Sequence, residues 1–329
     1  MKIAVLILGH KLPNQMARLI KRLDDARFDI FIHIDAKVSI IPFKESIAGY
    51  CFKSQIYFVE NRVKTYFFDY SLIEATCKCI ELATKMGQYK YFILLTGQDF
   101  PIKSNDFIYN KLITDYPTCW IDMYHVEEAA NCGVKWVKKL GRSYVSQRAR
   151  RWILSIVGSK FYYSIQGKSV RLFAVIYDKM RTLLGNIPRQ KLKDLPYTYS
   201  AGSHFWMLPD IAISHILNNF KNDKQLTKIF SHIAAPEESY FQTSLSTLKG
   251  LLLPNEFIQF TTPQNEMDNP ALRLIKWYEN GIKINGHPAI WKMEDFPFIM
   301  QSKALFARKF DESIDNKIIK WLEEYESCC

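Results

Sequence analysis

YKYFILLTGQDFPIKS, residues 89–104, opens on a nearly unbroken apolar run from Tyr91 to Leu95 and breaks it at Thr96-Gly97-Gln98-Asp99. A short run of this kind, closed by a glycine turn, predicts a strand buried on both faces, as in a parallel sheet. The same pattern recurs at KIAVLIL (2–8), FDIFIHID (28–35) and IYFVE (56–60). Between these lie helical patterns at Asn14 to Leu23 and about Ser71 to Met86. The alternation predicts a βαβ series and a mostly parallel sheet flanked by helices. Beyond it, TCWIDMYHV (118–126) reads as a strand, another strand falls at about 203–208, and helices are expected at 210–220, from Pro236 and at 314–325. Ligands of open parallel sheets bind beyond the carboxyl ends of the strands. Four places are therefore of interest: Gly9 and His10, His33 to Lys37, Thr96 to Asp99, and Gly202 to His204.

The 329 residues are 48% hydrophobic and 14% aromatic, enough for a packed core. No repeat or Gly/Pro/Ser-rich linker divides them, so one domain over 1–329 is expected, with an insertion at about 126–195 and a C-terminal extension at about 265–329 that folds back. The apolar run Ile3–Leu8 is far shorter than the roughly 18 residues that read as a membrane span, and the N-terminus reads as a buried strand. The seven cysteines form no CxxC pair and read as reduced thiols, Cys77 and Cys79 as small buried hydrophobes. The net charge of +11 is concentrated: from Lys135 to Lys193 stand fifteen Lys or Arg and one acid, Asp178. The run Arg148, Arg150, Arg151, Trp152, Ile153, Leu154 within it fits either peripheral contact with an anionic membrane or a solvated basic face. No nucleic-acid recognition motif accompanies the charge. A cytoplasmic location, with possible contact at the inner membrane face, is the expectation.

GxGxxG and GxxxxGK[ST] are both absent, so phosphate-cradling glycines of the dinucleotide or P-loop kind are not available. Four segments, HIDAK (33–37), YFILLTGQDFPIKS (91–104), APEESYFQTSL (235–245) and SKALFARKFD (302–311), together resemble the core-2/I-branching β-1,6-N-acetylglucosaminyltransferases and their peptide O-xylosyltransferase relatives. The resemblance covers about 1–110 and 200–320, and residues 125–195 resemble no family. It implies a nucleotide-sugar transferase fold of the GT-A type, without a DxD motif and without a divalent cation. The sequence agrees on one point, since no aspartate stands two positions from another. Hard metal ions want such oxygen ligands.

The resemblance also implies site residues. Glu238, closing the triplet Pro236-Glu237-Glu238, matches the family's catalytic base; the competing reading is two acids complementing the dipole of their own helix. Arg308 and Lys309 match basic residues on the donor diphosphate, and Arg273 in LRLIKW matches a second cation upstream. Asp35 matches the nucleoside aspartate, with a first-strand contact near Leu8 or Gly9 and an aromatic on the base at Phe67, or at Tyr66 in a shifted register. Asp99 falls in the scaffolding of the site. His204, in GSHFW, falls at a position tied to the acceptor. The implied reaction is inverting transfer of GlcNAc from UDP-GlcNAc to a hydroxyl of an oligosaccharide acceptor, lipid-linked in surface polysaccharide synthesis, with no cofactor. The alternatives are UDP-xylose as donor and a non-catalytic, membrane-docked carbohydrate-binding protein.

Overall fold

The computed structural model describes residues 1–127, 192–233, 235–248, 268–279, 282–283 and 288–325. Most of the basic insertion, including the Arg-Arg-Trp run, lies outside them.

The central sheet runs in the order β3 (Ile56–Phe58), β2 (Phe28–Ile34), β1 (Ile3–Gly9), β4 (Tyr91–Thr96), β9 (Trp206–Pro209) and β6 (Trp120–Ile121). The first four are parallel, β9 is antiparallel to β4, and β6 is antiparallel to β9. Pairing is in a single register along β1, with Ile3 opposite Phe28 and Tyr91 and Leu8 opposite His33 and Thr96.

The two faces explain why β1 is apolar throughout. Ile3, Val5 and Ile7 point into one core with Ile30, Ile32, Ile93 and Leu95, while Ala4, Leu6 and Leu8 point into the other with Phe31, Phe92 and Leu94. Burial of each Ile or Leu contributes about 1.5–3 kcal/mol. The first core is closed by α1 (Pro13–Arg22), α4 (Asn105–Thr114) and α9 (Lys317–Glu324), the last through Ile318, Ile319 and Leu322. The second is closed by α3 (Ser71–Met86) and α5 (Asp210–Asn222). Cys77 and Cys79 are fully buried on α3, and burial pushes both thiols up.

The segment TCWIDMYHV differs from the single strand expected. It breaks at Asp122-Met123: β6 stays in the central sheet, whereas β7 (Tyr124–His125) leaves it to pair with β8 (Ser200–Ala201). The cause is a close approach, because the chain at Gly202 runs against the Asp122 carbonyl. The helix expected from Pro236 is a 3-10 turn, Pro236–Glu238, followed by α7 (Tyr240–Leu245). A second sheet orders β10 (Asp268–Asn269), β11 (Arg273–Ile275), β14 (Phe306–Arg308) and β5 (Asp99–Pro101). It brings the C-terminal residues onto the turn after β4, with Arg308 opposite Asp99. No helix among the described residues is long and apolar enough to cross a membrane.

Candidate active site

The carboxyl ends of β1, β2 and β4 are tied together by their own backbone. Asp35 N donates to Gly9 O at 2.8 Å and Gly97 N to Leu8 O at 3.0 Å. The Leu8 and Gly9 carbonyls, at the position of the expected first-strand contact, thus each accept from the end of a neighbouring strand, and Gly9 is packed so closely that a Cβ would stand 2.9 Å from Ile34.

Asp35 is buried and held by its loop: Lys37 N donates to Oδ1 at 2.9 Å, and Thr65 Oγ1 donates to Oδ2 at 2.7 Å. His33 Nε2 accepts from Val63 N at 2.8 Å, which fixes the segment carrying Thr65. The imidazole must be neutral to accept, and burial pushes it down to about 4. Replacing Thr65 by Val removes a hydroxyl donor from a buried carboxylate, so unfolding should show a loss of about 1.5–3 kcal/mol, read as a lower denaturation midpoint. Of the two aromatic candidates, Tyr66 is tied to this loop, with Lys37 Nζ 4.5 Å from its ring centre. Phe67 is exposed and stacks on Phe68 at 3.9 Å.

The FARKFD turn is clamped from both sides. Gln98 Nε2 and the buried Gln15 Nε2 both donate to Phe310 O, at 3.1 and 3.2 Å. On the other side, Trp291 donates its Nε1–H to Arg308 O at 2.8 Å and its backbone N–H to Lys309 O at 2.9 Å. Both cations are thereby fixed without an acid binding the lysine. Lys309 makes no ion pair among the described residues, and burial, Lys11 and Arg308 lower its ammonium. Neighbouring His10 is lowered by burial first and then by Lys11, although Asp35 opposes this; Lys309 and Lys37 add to the lowering. The ends of β1 and β2 and the FARKFD turn therefore share one cationic mouth.

Arg273 is placed differently from the diphosphate contact expected of it. It is fully buried behind Asp99, donating from Nη1 to Asp99 Oδ1 at 3.2 Å and from Nη2 to Leu94 O at 2.9 Å. Asp99 also faces Arg308 Nη1 at 3.6 Å, and Arg308 Nη1 donates to Thr96 Oγ1 at 3.3 Å. Phe205 lies against both guanidiniums, 5.0 Å from Arg273 and 4.3 Å from Arg308. One carboxylate and one ring thus fix two arginines, of which only Arg308 reaches the mouth. Burial pushes Arg273 down to about 10.

Residues 202–205 connect this cationic side to Glu238. Gly202 N donates to Glu238 O at 2.8 Å, Ser203 N donates to Asp122 Oδ2 at 2.9 Å, and Phe205 is the ring beneath Arg308. Gln242 Nε2 adds bonds to Ser203 O at 2.8 Å and Asp122 O at 3.3 Å. Gly202 is required here, because a Cβ would stand 1.8 Å from the Asp122 carbonyl oxygen. His204, expected on the acceptor side, is half-buried with Arg308 and Asp99 as its charged neighbours; burial first and then Arg308 push it down to about 4.

Glu238 is half-buried, and burial together with the negative charge of Asp122 pushes it up to about 7. A carboxylate poised there can take a proton near neutrality. Sequence reading alone overlooked Asp122. The sequence carried no mark of it, because TCWIDMYHV reads as one continuous strand with Asp122 inside, and only the break after Ile121 sets it at a strand end. Among the described residues, no group of three or more His, Cys, Asp or Glu converges as a metal site would need.

The profile of the family described as Core-2/I-Branching enzyme matches residues 3–299. Among curated proteins, the chain is 22% identical to a bovine herpesvirus 4 β-1,3-galactosyl-O-glycosyl-glycoprotein β-1,6-N-acetylglucosaminyltransferase, covering 98% of this chain and 67% of that protein. It is 23% identical to a zebrafish (Danio rerio) relative, number 4 of the same enzyme name, over 98% and 69% of the two chains. The human relative, number 3 of that name, is 22% identical over 98% and 67%.

Proposed function

Because the chain belongs to the Core-2/I-branching enzyme family and is a glycosyltransferase, we propose that it moves GlcNAc from UDP-GlcNAc to a hydroxyl of an oligosaccharide acceptor, inverting C1 and using no metal ion. The observation that carries this reading is the 202–205 loop, which binds the backbone carbonyl of Glu238 at one end and sets Phe205 against Arg308 at the other, next to a lysine that makes no ion pair among the described residues.

In the proposed step, the acceptor hydroxyl gives its proton to the Glu238 carboxylate as its oxygen attacks C1 of the sugar. The bond from C1 to the UDP oxygen breaks on the opposite face, and its electron pair leaves with the diphosphate. Lys309 and Arg308 receive that charge, while Asp99, held by Arg273, fixes the guanidinium of Arg308. Fixed cations are positioned before the reaction and need no reorganisation as charge develops. Asp35 binds the nucleoside and Tyr66 or Phe67 covers its base. The acceptor is lipid-linked, at the inner membrane face, with the basic segment 135–193 on anionic lipid. UDP-xylose is the second reading, favoured by the Arg308-Lys309 spelling of the turn.

A thermal-shift screen of UDP-sugars tests this without the acceptor. A nucleotide at 100 times its dissociation constant adds about 2.7 kcal/mol. UDP-GlcNAc should raise the melting temperature more than UDP-xylose or GDP-sugars; a larger shift with UDP-xylose moves the donor to the second reading, and no shift with any UDP-sugar removes both.

A further inference from the structure

We propose that Trp291 is a positioning residue for the donor diphosphate: its indole N–H fixes the main chain of Arg308 and so aims that guanidinium before the nucleotide arrives. This rests on the proposed binding of the diphosphate by Arg308 and Lys309.

The sheet that carries Arg308 stops supporting the chain at that residue. Arg308 is the last residue of β14 and ends both of its pairings, opposite Ile275 of β11 and Asp99 of β5. Lys309 already lies outside the ladder. Trp291 takes over at this point: its Nε1–H donates to Arg308 O at 2.8 Å and its backbone N–H to Lys309 O at 2.9 Å. Lys276 N also donates to Arg308 O, at 3.4 Å, so the indole is the closer partner of the two. Gln15 and Gln98 act beyond both cations, on Phe310 O. The backbone bond to Lys309 would survive a change of side chain at 291, whereas the bond to Arg308 needs the indole. The identity of residue 291 therefore bears on Arg308.

The ring is itself held in place for this bond. Trp291 is buried, and its ring stacks on Phe298 with centroids 6.0 Å apart. Lys276 Nζ stands 5.5 Å from the Trp291 ring centre and pairs with Asp295 Oδ2 at 2.6 Å. Asp295 Oδ2 also accepts from Lys292 N, next to Trp291, at 2.9 Å. On the other side of the tryptophan, Ala289 N donates to Lys276 O at 2.8 Å. At its far end Arg308 Nη1 donates to Thr96 Oγ1 at 3.3 Å, and the guanidinium lies 4.3 Å from the Phe205 ring. An arginine held at both main chain and guanidinium has little freedom left to lose when an anion binds, which is the advantage of a preorganised donor.

The test is a double-mutant cycle on UDP affinity, measured by calorimetry. Trp291→Phe keeps a ring in the core and removes the N–H donor; it should weaken UDP binding about three- to tenfold, the usual net worth of one hydrogen bond. Arg308→Met should weaken UDP binding by itself. In the Arg308→Met background, Trp291→Phe should cost nothing further, because the side chain it aims is gone. Uridine, which lacks the diphosphate, should bind the wild-type protein and Trp291→Phe equally well in an NMR titration. Where Trp291→Phe does not fold, benzothienylalanine incorporated at position 291 keeps the bicyclic shape and still lacks the N–H. Losses that add across the two sites, an equal loss of uridine binding, or a Trp291→Phe protein that binds UDP like the wild type each overturn the proposal, as a tryptophan that merely fills the core would give them. The underlying reading fails differently. An Arg308→Met protein that binds UDP as tightly as the wild type removes the diphosphate from Arg308 and the proposal with it, whereas a weakened Arg308→Met beside an unaffected Trp291→Phe defeats only the role of Trp291.

Discussion

Glu238→Gln lowers turnover by about 10²- to 10⁴-fold, the usual worth of a positioned general base, while leaving the fold and UDP binding intact. The fold survives because the Glu238 backbone, not its side chain, carries the local contacts: its carbonyl accepts from Gly202 and its N–H donates to Ala235 O. UDP binding survives because the cationic turn is clamped independently, through Gln15, Gln98 and Trp291. The pH profile carries the same information. A base that must be ionised gives a rate that rises with pH through its midpoint, near 7 for Glu238. Stability runs the opposite way. The folded Glu238 holds its proton above the unfolded value of 4.5, so the folded state is weakened as pH rises from there through about 7. Glu238→Gln should therefore be more stable than the wild-type protein at pH 8, with the difference fading as pH falls below 7 and vanishing near 4. Denaturation midpoints at the two pH values, beside a pH–rate profile, check both signs; a mutant that keeps more than half of wild-type turnover removes Glu238 from the mechanism.

The parallel core was legible from the chain because its signal is local. β1, β2 and β4 are apolar at successive positions since both faces are covered, and the helix at 71–86 falls where its periodicity put it. The break of TCWIDMYHV into two strands was not legible, because its cause is Gly202, eighty residues away along the chain. Arg273 shows the same limit in the site. A cation in an R-x-I strand looks alike whether it faces a ligand or a buried carboxylate, and only the pairing of β14 with β5 brings Asp99 into its reach. Asp122 shows it again: it lies inside one continuous strand pattern, and it comes to a strand end beside the loop that also binds the Glu238 carbonyl only once the segment has broken.

Lys309→Ala should lower turnover by about 10²- to 10³-fold, the usual loss when one preorganised donor to a developing anion is removed, and should weaken UDP binding at the same time. The reason lies in how the positive charge of the mouth is divided. Arg273 is committed to Asp99 and Leu94 O, and Lys11 donates to Asp311 at 2.9 Å. Arg308 is in part committed to Thr96 and Asp99. Lys309, with no ion pair among the described residues and an ammonium destabilised by burial and by Lys11 and Arg308, gains most from an arriving diphosphate. A phosphate there relieves like-charge repulsion as well as adding attraction. Because fixed cations carry the charge, excess EDTA should leave wild-type transfer unchanged, and added Mg²⁺ or Mn²⁺ should not restore Lys309→Ala. Transfer rates with and without chelator, beside UDP affinity by calorimetry, distinguish the outcomes. Loss of wild-type transfer in EDTA with recovery in Mn²⁺ would make the diphosphate site metal-dependent, and would return the Arg308-Lys309 turn to a structural role.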